Sequence, residues 1–148
     1  MDLALMDERD LTELLPFIES AMVQEQVRWR AKSAGLNFSL RHHDQLIACG
    51  GIGLLWPGVG EAWFWGTPHK TRHPIALYKA TRQWLDRSMP LLRLHRVEAI
   101  IRQDFAEGHR FAQALGFTAE GIRRQFGPDR MDFTMYARVT QKEDITDG

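Results

Sequence analysis

A single cysteine, Cys49, stands in 148 residues. That excludes an internal disulfide and any zinc site built on several thiolates, and the shortage points to a reducing compartment. Net charge is missing as well. Nineteen Lys and Arg balance nineteen Asp and Glu, so no overall field gathers nucleic acid or an anionic membrane. No apolar run reaches the ~20 residues that span a bilayer. The N-terminus opens on Asp2, Asp7 and Glu8, not on the basic stretch and apolar segment of a signal peptide. These absences read as a cytoplasmic protein with no nucleic-acid and no membrane partner. Repeats and low-complexity segments are also lacking, and nothing in the sequence sets the oligomeric state.

What is present suffices for one folded unit. A 44% hydrophobic and 26% charged composition supports a buried core at this length. We expect one domain over 1–139 and a frayed polar tail over 140–148. Leu3 to Met6 reads as a strand. Asp10 and Glu13 stand at capping-box spacing, and Leu11, Leu14, Leu15, Ile18 and Met22 follow at helical spacing. Pro16 interrupts that pattern, so a break into two helices is expected before about Lys32. Leu36 to Arg41 alternates as a strand. His43-Asp44 makes a turn, and Leu46 to Leu55 is apolar on both faces, as in a strand covered by helices on both sides. Pro57-Gly58-Val59-Gly60 is turn chemistry, and Glu61 to Trp65 returns.

Pro74 suits the first position of a helix striped by Leu77, Tyr78, Thr81, Trp84 and Leu85, with Pro90 as its stop. His95 to Arg102 reads as a strand, Ala106 to Leu115 as a helix, and Gly116 as its left-handed cap. Phe117 to Phe126 reads as a strand. Met131, Phe133, Met135, Ala137 and Val139 alternate with polar neighbours in the last. The order is β-α-β-β-β-α-β-α-β-β: an α/β protein with a mixed sheet, antiparallel in its first half and parallel where crossovers intervene.

That order, with Phe111-Ala112-Gln113-Ala114-Leu115-Gly116-Phe117 running into Glu120-Gly121 and a final strand Asp132-Phe133-Thr134-Met135-Tyr136, resembles the GNAT N-acetyltransferases over nearly the whole chain. Trp56-Pro57-Gly58-Val59-Gly60-Glu61-Ala62-Trp63, followed by His73-Pro74, resembles the small GNAT-like proteins of podophages. The first resemblance implies an acetyl-CoA-dependent N-acyltransferase whose acceptor is an amine of a small molecule or a protein. The second implies a catalytically weak relative that binds a host protein in the bacterial host cytoplasm.

The resemblance also assigns residues. Glu61 opens the strand where many members place a catalytic glutamate, the base that the acceptor amine needs. Trp65, Gly66 and Thr67 would meet the pantetheine arm. Lys70, Thr71, Arg72 and His73 occupy the family's diphosphate loop, where glycine amides at a helix N-terminus hold the anion. Here that loop has no glycine, and Pro74 has no N–H, so the cofactor site is weakened. Lys70 and Arg72 would substitute charge for lost amides. The family's tyrosine acid falls on Ala112, and Asp104, the polar residue nearest the family's asparagine, is the remaining cofactor-binding candidate that the resemblance implies. As a helix N-cap, Asp104 has an adequate structural role.

Other constellations have two readings each. Trp63 and Trp65 share a strand face with Glu61. With Trp56 they line an acceptor or partner surface, or pack a core. His42-His43-Asp44 is a polar turn rather than a metal site, since neighbouring strand residues point apart; no metal ligands are assigned. Cys49 in an apolar strand reads as an inert core thiol. Arg93, His95, Arg96, Arg123 and Arg124 make a basic surface, offset by dispersed acids.

Overall fold

Apolar periodicity and turn chemistry build the sheet. The computed structural model describes residues 1–141. Seven strands run β1 Asp2–Leu5, β2 Gly35–His42, β3 Gln45–Trp56, β4 Val59–Gly66, β5 Arg96–Arg102, β6 Thr118–Arg123 and β7 Phe133–Val139. Four helices join them: α1 Glu8–Leu14, α2 Ala21–Lys32, α3 Pro74–Leu91 and α4 Ala106–Ala114. The strand order is β1-β2-β3-β4-β5-β7-β6. The first hairpin turns through His43 and Asp44, both left-handed, as a two-residue turn requires. The second turns at Pro57-Gly58, where Gly58 has a φ of 90° and faces the His95 ring. The Gly58 carbonyl accepts from His95 N–H and Arg96 N–H, which ties the hairpin to the start of β5.

Among the described residues only β4 and β5 pair in parallel. The crossovers suggest more parallel pairing, but β7 inserts between β5 and β6 and runs antiparallel to both. Sequence order alone cannot show that insertion, because β7 returns only after the last helix.

Local chemistry moves several element ends. The capping box forms at Asp7 and Asp10, not at Asp10 and Glu13: Asp10 N–H donates to Asp7 and Asp7 N–H to Asp10. Asp10 and Glu13 instead receive Arg41 from β2. Pro16 does break the helix, into a 3₁₀ turn over Leu15–Phe17. Gln24 stitches the break by donating to the carbonyls of Leu15 and Ile18 at 3.1 and 2.7 Å. Pro90 does not stop α3. It lies in the last turn, and the chain leaves through left-handed Arg93, with Leu94 N–H on Met89 and Arg93 N–H on Pro90. That is a Schellman close without glycine. Gly116, at φ 93°, closes α4 in the same pattern. β6 ends at Arg123, short of Phe126, and β3 leaves the core after Ile52, so Leu54 to Trp56 are exposed. Thr140 is still tied, through its N–H to the His95 carbonyl. The rest of the expected tail, 142–148, lies outside the described residues.

The helices cover two faces. α1 and α2 pack Leu11, Leu14 and Val27 against Leu46, Cys49 and Trp63. On the other face, Leu85 and Met89 of α3 and Ala112 of α4 enclose Ile52, Val97 and Tyr136.

Candidate active site

The sheet parts in its middle. β4 and β5 are paired only where Val59–Glu61 face Arg96–Glu98. β4 continues to Gly66 and β5 to Arg102. From Ala62 to Gly66, β4 is held by β3 alone, so its other edge offers backbone donors and acceptors to an extended ligand.

α3 begins at the open end of β4. Buried Thr67 fixes the junction: its N–H reaches the Ile47 carbonyl at 2.9 Å and its hydroxyl the Leu46 carbonyl at 2.9 Å. A 3₁₀ turn over Pro68–Arg72 follows. It consumes the amides of His69, Lys70 and His73 internally. The first helical bond of α3 is Leu77 N–H to His73 at 2.9 Å, so the Ile75 and Ala76 amides precede it and face out of the helix start. The glycine-free loop therefore keeps two amides for an anion. Thr71 is exposed, its hydroxyl on the Pro68 carbonyl. Arg72 is exposed, with no ion-pair partner among the described residues. The His73 ring stacks on His42 at 4.3 Å, and His42 on His43 at 4.2 Å. Burial, His43 and His73 hold His42 below its ordinary pKa.

The groove that α4 forms with β4, the turn after it and α3 is bridged at three levels. Lys70 meets Glu107 at 3.4 Å and lies over the Phe105 ring at 5.6 Å. Its stem also passes Gly66, where a Cβ would sit 2.5 Å from Lys70 Cδ. Phe64 contacts Phe111 with ring centroids 5.0 Å apart. Further along α3, the Tyr78 hydroxyl and Arg82 donate to the Ala114 carbonyl at 3.2 and 3.0 Å. Asp104 does not cap α4. The N-cap is Phe105, with no side-chain cap bond, and Asp104 turns to Arg102 at 3.2 Å. Ala112 is buried and holds no proton donor.

On the α1/α2 face, Glu61 pairs with Arg30 of α2. Trp63 is buried, its indole N–H on Asn37 at 3.2 Å, while Trp65 and Trp56 are exposed. A crevice of about 50 Å³ opens here, lined by Trp29, Arg30, Gly53, Leu55, Glu61 and Trp63. Trp29 and Arg30 escaped the sequence reading. The available signal was that Trp29 falls off the Val23–Val27–Ala31 stripe that α2 buries.

The pairing of His109 with Tyr136 was not legible in the sequence either. His109 Nε2 faces the Arg102 and Gln103 carbonyls at 2.9 and 3.2 Å. Two acceptors there require the proton on Nε2, and in the neutral ring Nδ1 then accepts from the Tyr136 hydroxyl at 2.7 Å. This pins the end of β5 to α4 and β7.

A larger cavity of about 350 Å³ lies beside β1 and α1, away from the parting. Its charges answer one another, Arg9 with Asp44 and Arg41 with Asp10, so it is a polar network rather than the reaction site. Cys49 is inert: burial pushes its thiol up to about 12. Among the described residues no three His, Cys, Asp or Glu are grouped to hold a metal ion, and no helix is long and apolar enough to cross a membrane.

A split mixed sheet with a helix start at the open end of β4 is the fold of the GNAT N-acetyltransferases. A spermidine N-acetyltransferase variant of Vibrio cholerae superposes with TM-score 0.73 at 14% identity, over 94% of this chain and 95% of that one. The ribosomal-protein-S5-alanine acetyltransferase of Vibrio fischeri gives 0.74 at 12%, over 95% and 93%. A ribosomal-protein-alanine N-acetyltransferase of Brucella melitensis gives 0.71 at 14%, over 95% and 100%. No family model matches the sequence, and no curated protein does. The likeness is one of fold.

Proposed function

We propose that the protein is a CoA-dependent N-acyltransferase that acylates an amine. The observation that carries this is the parting itself: an unpaired edge of β4 beside the start of α3. The residues present fit acetyl-CoA. The free edge over Ala62–Gly66, with Trp65, Gly66 and Thr67, suits the amide-bearing pantetheine arm. The Ile75 and Ala76 amides, with Lys70, Thr71, Arg72 and His73 before them, suit the diphosphate. Asp104, turned to Arg102, is left without a part.

Acetyl-CoA supplies an activated acyl carbon. Glu61 takes the amine's proton as the N–C bond forms and the C–S bond breaks. Arg30 holds that carboxylate in place until the amine arrives. With alanine at 112, the departing thiolate takes its proton from water.

A second reading has its own support. The bridged groove along α4 and Ala112 favour a catalytically weak GNAT-shaped protein that grips another protein through Trp56 and its neighbours. Where the chain is phage-encoded, that partner is a host protein in the bacterial cytoplasm.

Titration of acetyl-CoA separates the two. Acetyl-CoA at a hundred times its Kd adds about 2.7 kcal/mol, a rise of about 5–10 °C in Tm for a chain of this size. No shift at millimolar acetyl-CoA sinks the enzyme reading. If it binds, Glu61→Gln lowers kcat about a hundredfold or more and leaves acetyl-CoA affinity within twofold. Unchanged turnover removes Glu61 from the chemistry.

A further inference from the structure

We infer that the crevice beside Glu61 receives a free α-amino acid as the acyl acceptor, its ammonium on Glu61 and its carboxylate on Arg30. This rests on the acyltransferase reading above. The side chains of Arg30 and Glu61 are only 24% and 30% exposed, and each is the other's partner. A ligand bearing one ammonium would take Glu61 and strand Arg30; one bearing one carboxylate would do the reverse. Stranding a charge that is partly withdrawn from water is the costly half of breaking such a pair. A ligand that carries both charges a few bonds apart exchanges one ion pair for two and strands neither.

Size points the same way. About 50 Å³ holds roughly four water-sized groups at the ~10–15 Å³ each of them needs. That matches the few heavy atoms of an amino-acid head. The floor is Gly53, where a Cβ would meet nothing nearer than the Ala34 carbonyl at 3.9 Å, so the backbone leaves the space open. The exit is apolar. Trp29 is 70% exposed and Leu55 41%, and both border the crevice. An apolar amino-acid side chain leaving the head would lie on them. Glu61 lines the crevice and is also the last β4 residue paired with β5, opposite Glu98, so an amine held on Glu61 stands at the mouth of the parting.

The test compares L-leucine with L-leucinamide and 3-methylbutylamine, which keep the amine and lose the carboxylate, by thiol release from acetyl-CoA. L-leucine is expected to exceed both in kcat/KM by tenfold or more. Arg30→Gln should bring the ratio of L-leucine to 3-methylbutylamine down to about one, chiefly through KM. Arg30→Lys should restore part of it, which a merely structural role would not do. Equal use of the three acceptors by the wild type overturns the inference and leaves the acyltransferase reading standing. If acetyl-CoA neither binds nor is consumed, that reading falls. Calorimetry of L-leucine into the protein alone then decides the inference: heat that Arg30→Gln abolishes supports it, and no heat at millimolar L-leucine overturns it.

Discussion

Arg41 and Asp10 show how much one side chain can organise. Arg41 reaches from β2 to Asp10 at 2.6 Å, to Glu13 at 3.0 Å and to the Asp44 carbonyl at 2.9 Å. Asp10 is buried. Burial pushes its carboxyl up, but the Asp7 amide and Arg41 outweigh it, so the net shift is downward. The sign follows: a carboxylate depressed by folding contributes its stability above the unfolded value near 3.9, and loses it as pH falls through the folded value. Arg41→Met leaves Asp10 charged and short of a partner. We expect a loss of about 3 kcal/mol at pH 7, measured by urea denaturation. The deficit should shrink as pH falls through the depressed folded value, where the carboxylate is neutralised and no longer needs Arg41. An equal deficit above and below that value would assign the loss to packing instead. Glu61 poses the same question nearer the parting. Its place on β4 was legible from strand alternation and resemblance. Its partner Arg30 was not, because a helix 31 residues upstream meets it only through the fold.

At the scale of elements, legibility follows locality. The hairpins, the break at Pro16 and the Gly116 cap depend on residues within a few positions of one another. Each was readable, because turn and cap chemistry is local. The extent of β4–β5 pairing and the insertion of β7 between β5 and β6 depend on contacts distant in sequence, and no window of residues encodes them. Pro90 lies between these cases. Its missing N–H falls in the last turn of α3, where the close is made by Arg93 and Leu94 further on. Arg93 is a non-glycine residue at φ 56°, in a region that costs an L-residue about 1–2 kcal/mol. Arg93→Gly relieves that strain but adds freedom to the unfolded chain. The expected net gain is about 0.5–1 kcal/mol, read as a higher urea midpoint at unchanged m. A lower midpoint would mean that the arginine side chain contributes more than its backbone loses.

For the molecule as a whole, the question is whether the bridged groove can open. A half-exposed ion pair such as Lys70–Glu107 is worth on the order of 1 kcal/mol, and an aromatic pair such as Phe64–Phe111 about 0.5–1.5 kcal/mol. Those two amount to no more than about 2.5 kcal/mol, less than a hundredfold in affinity, and the Tyr78 and Arg82 hydrogen bonds to the Ala114 carbonyl add about 0.5–1.5 kcal/mol each. A ligand with a diphosphate and a long amide arm makes contacts enough to exceed that. The bridges therefore weaken acetyl-CoA binding without forbidding it, and the Lys70 end is the part a diphosphate competes for directly. Glu107→Gln removes the competitor, so acetyl-CoA should bind two- to fivefold tighter at low salt, with the gain fading as salt screens the exposed pair. Isothermal titration at two ionic strengths reads both. Were the variant to bind no more tightly at low salt, Lys70 would not be a diphosphate ligand, and the anion would rest on Arg72 and the start of α3. Were neither form to bind at all, the groove would be a closed seam, and the tryptophan surface would remain as the working part of the protein.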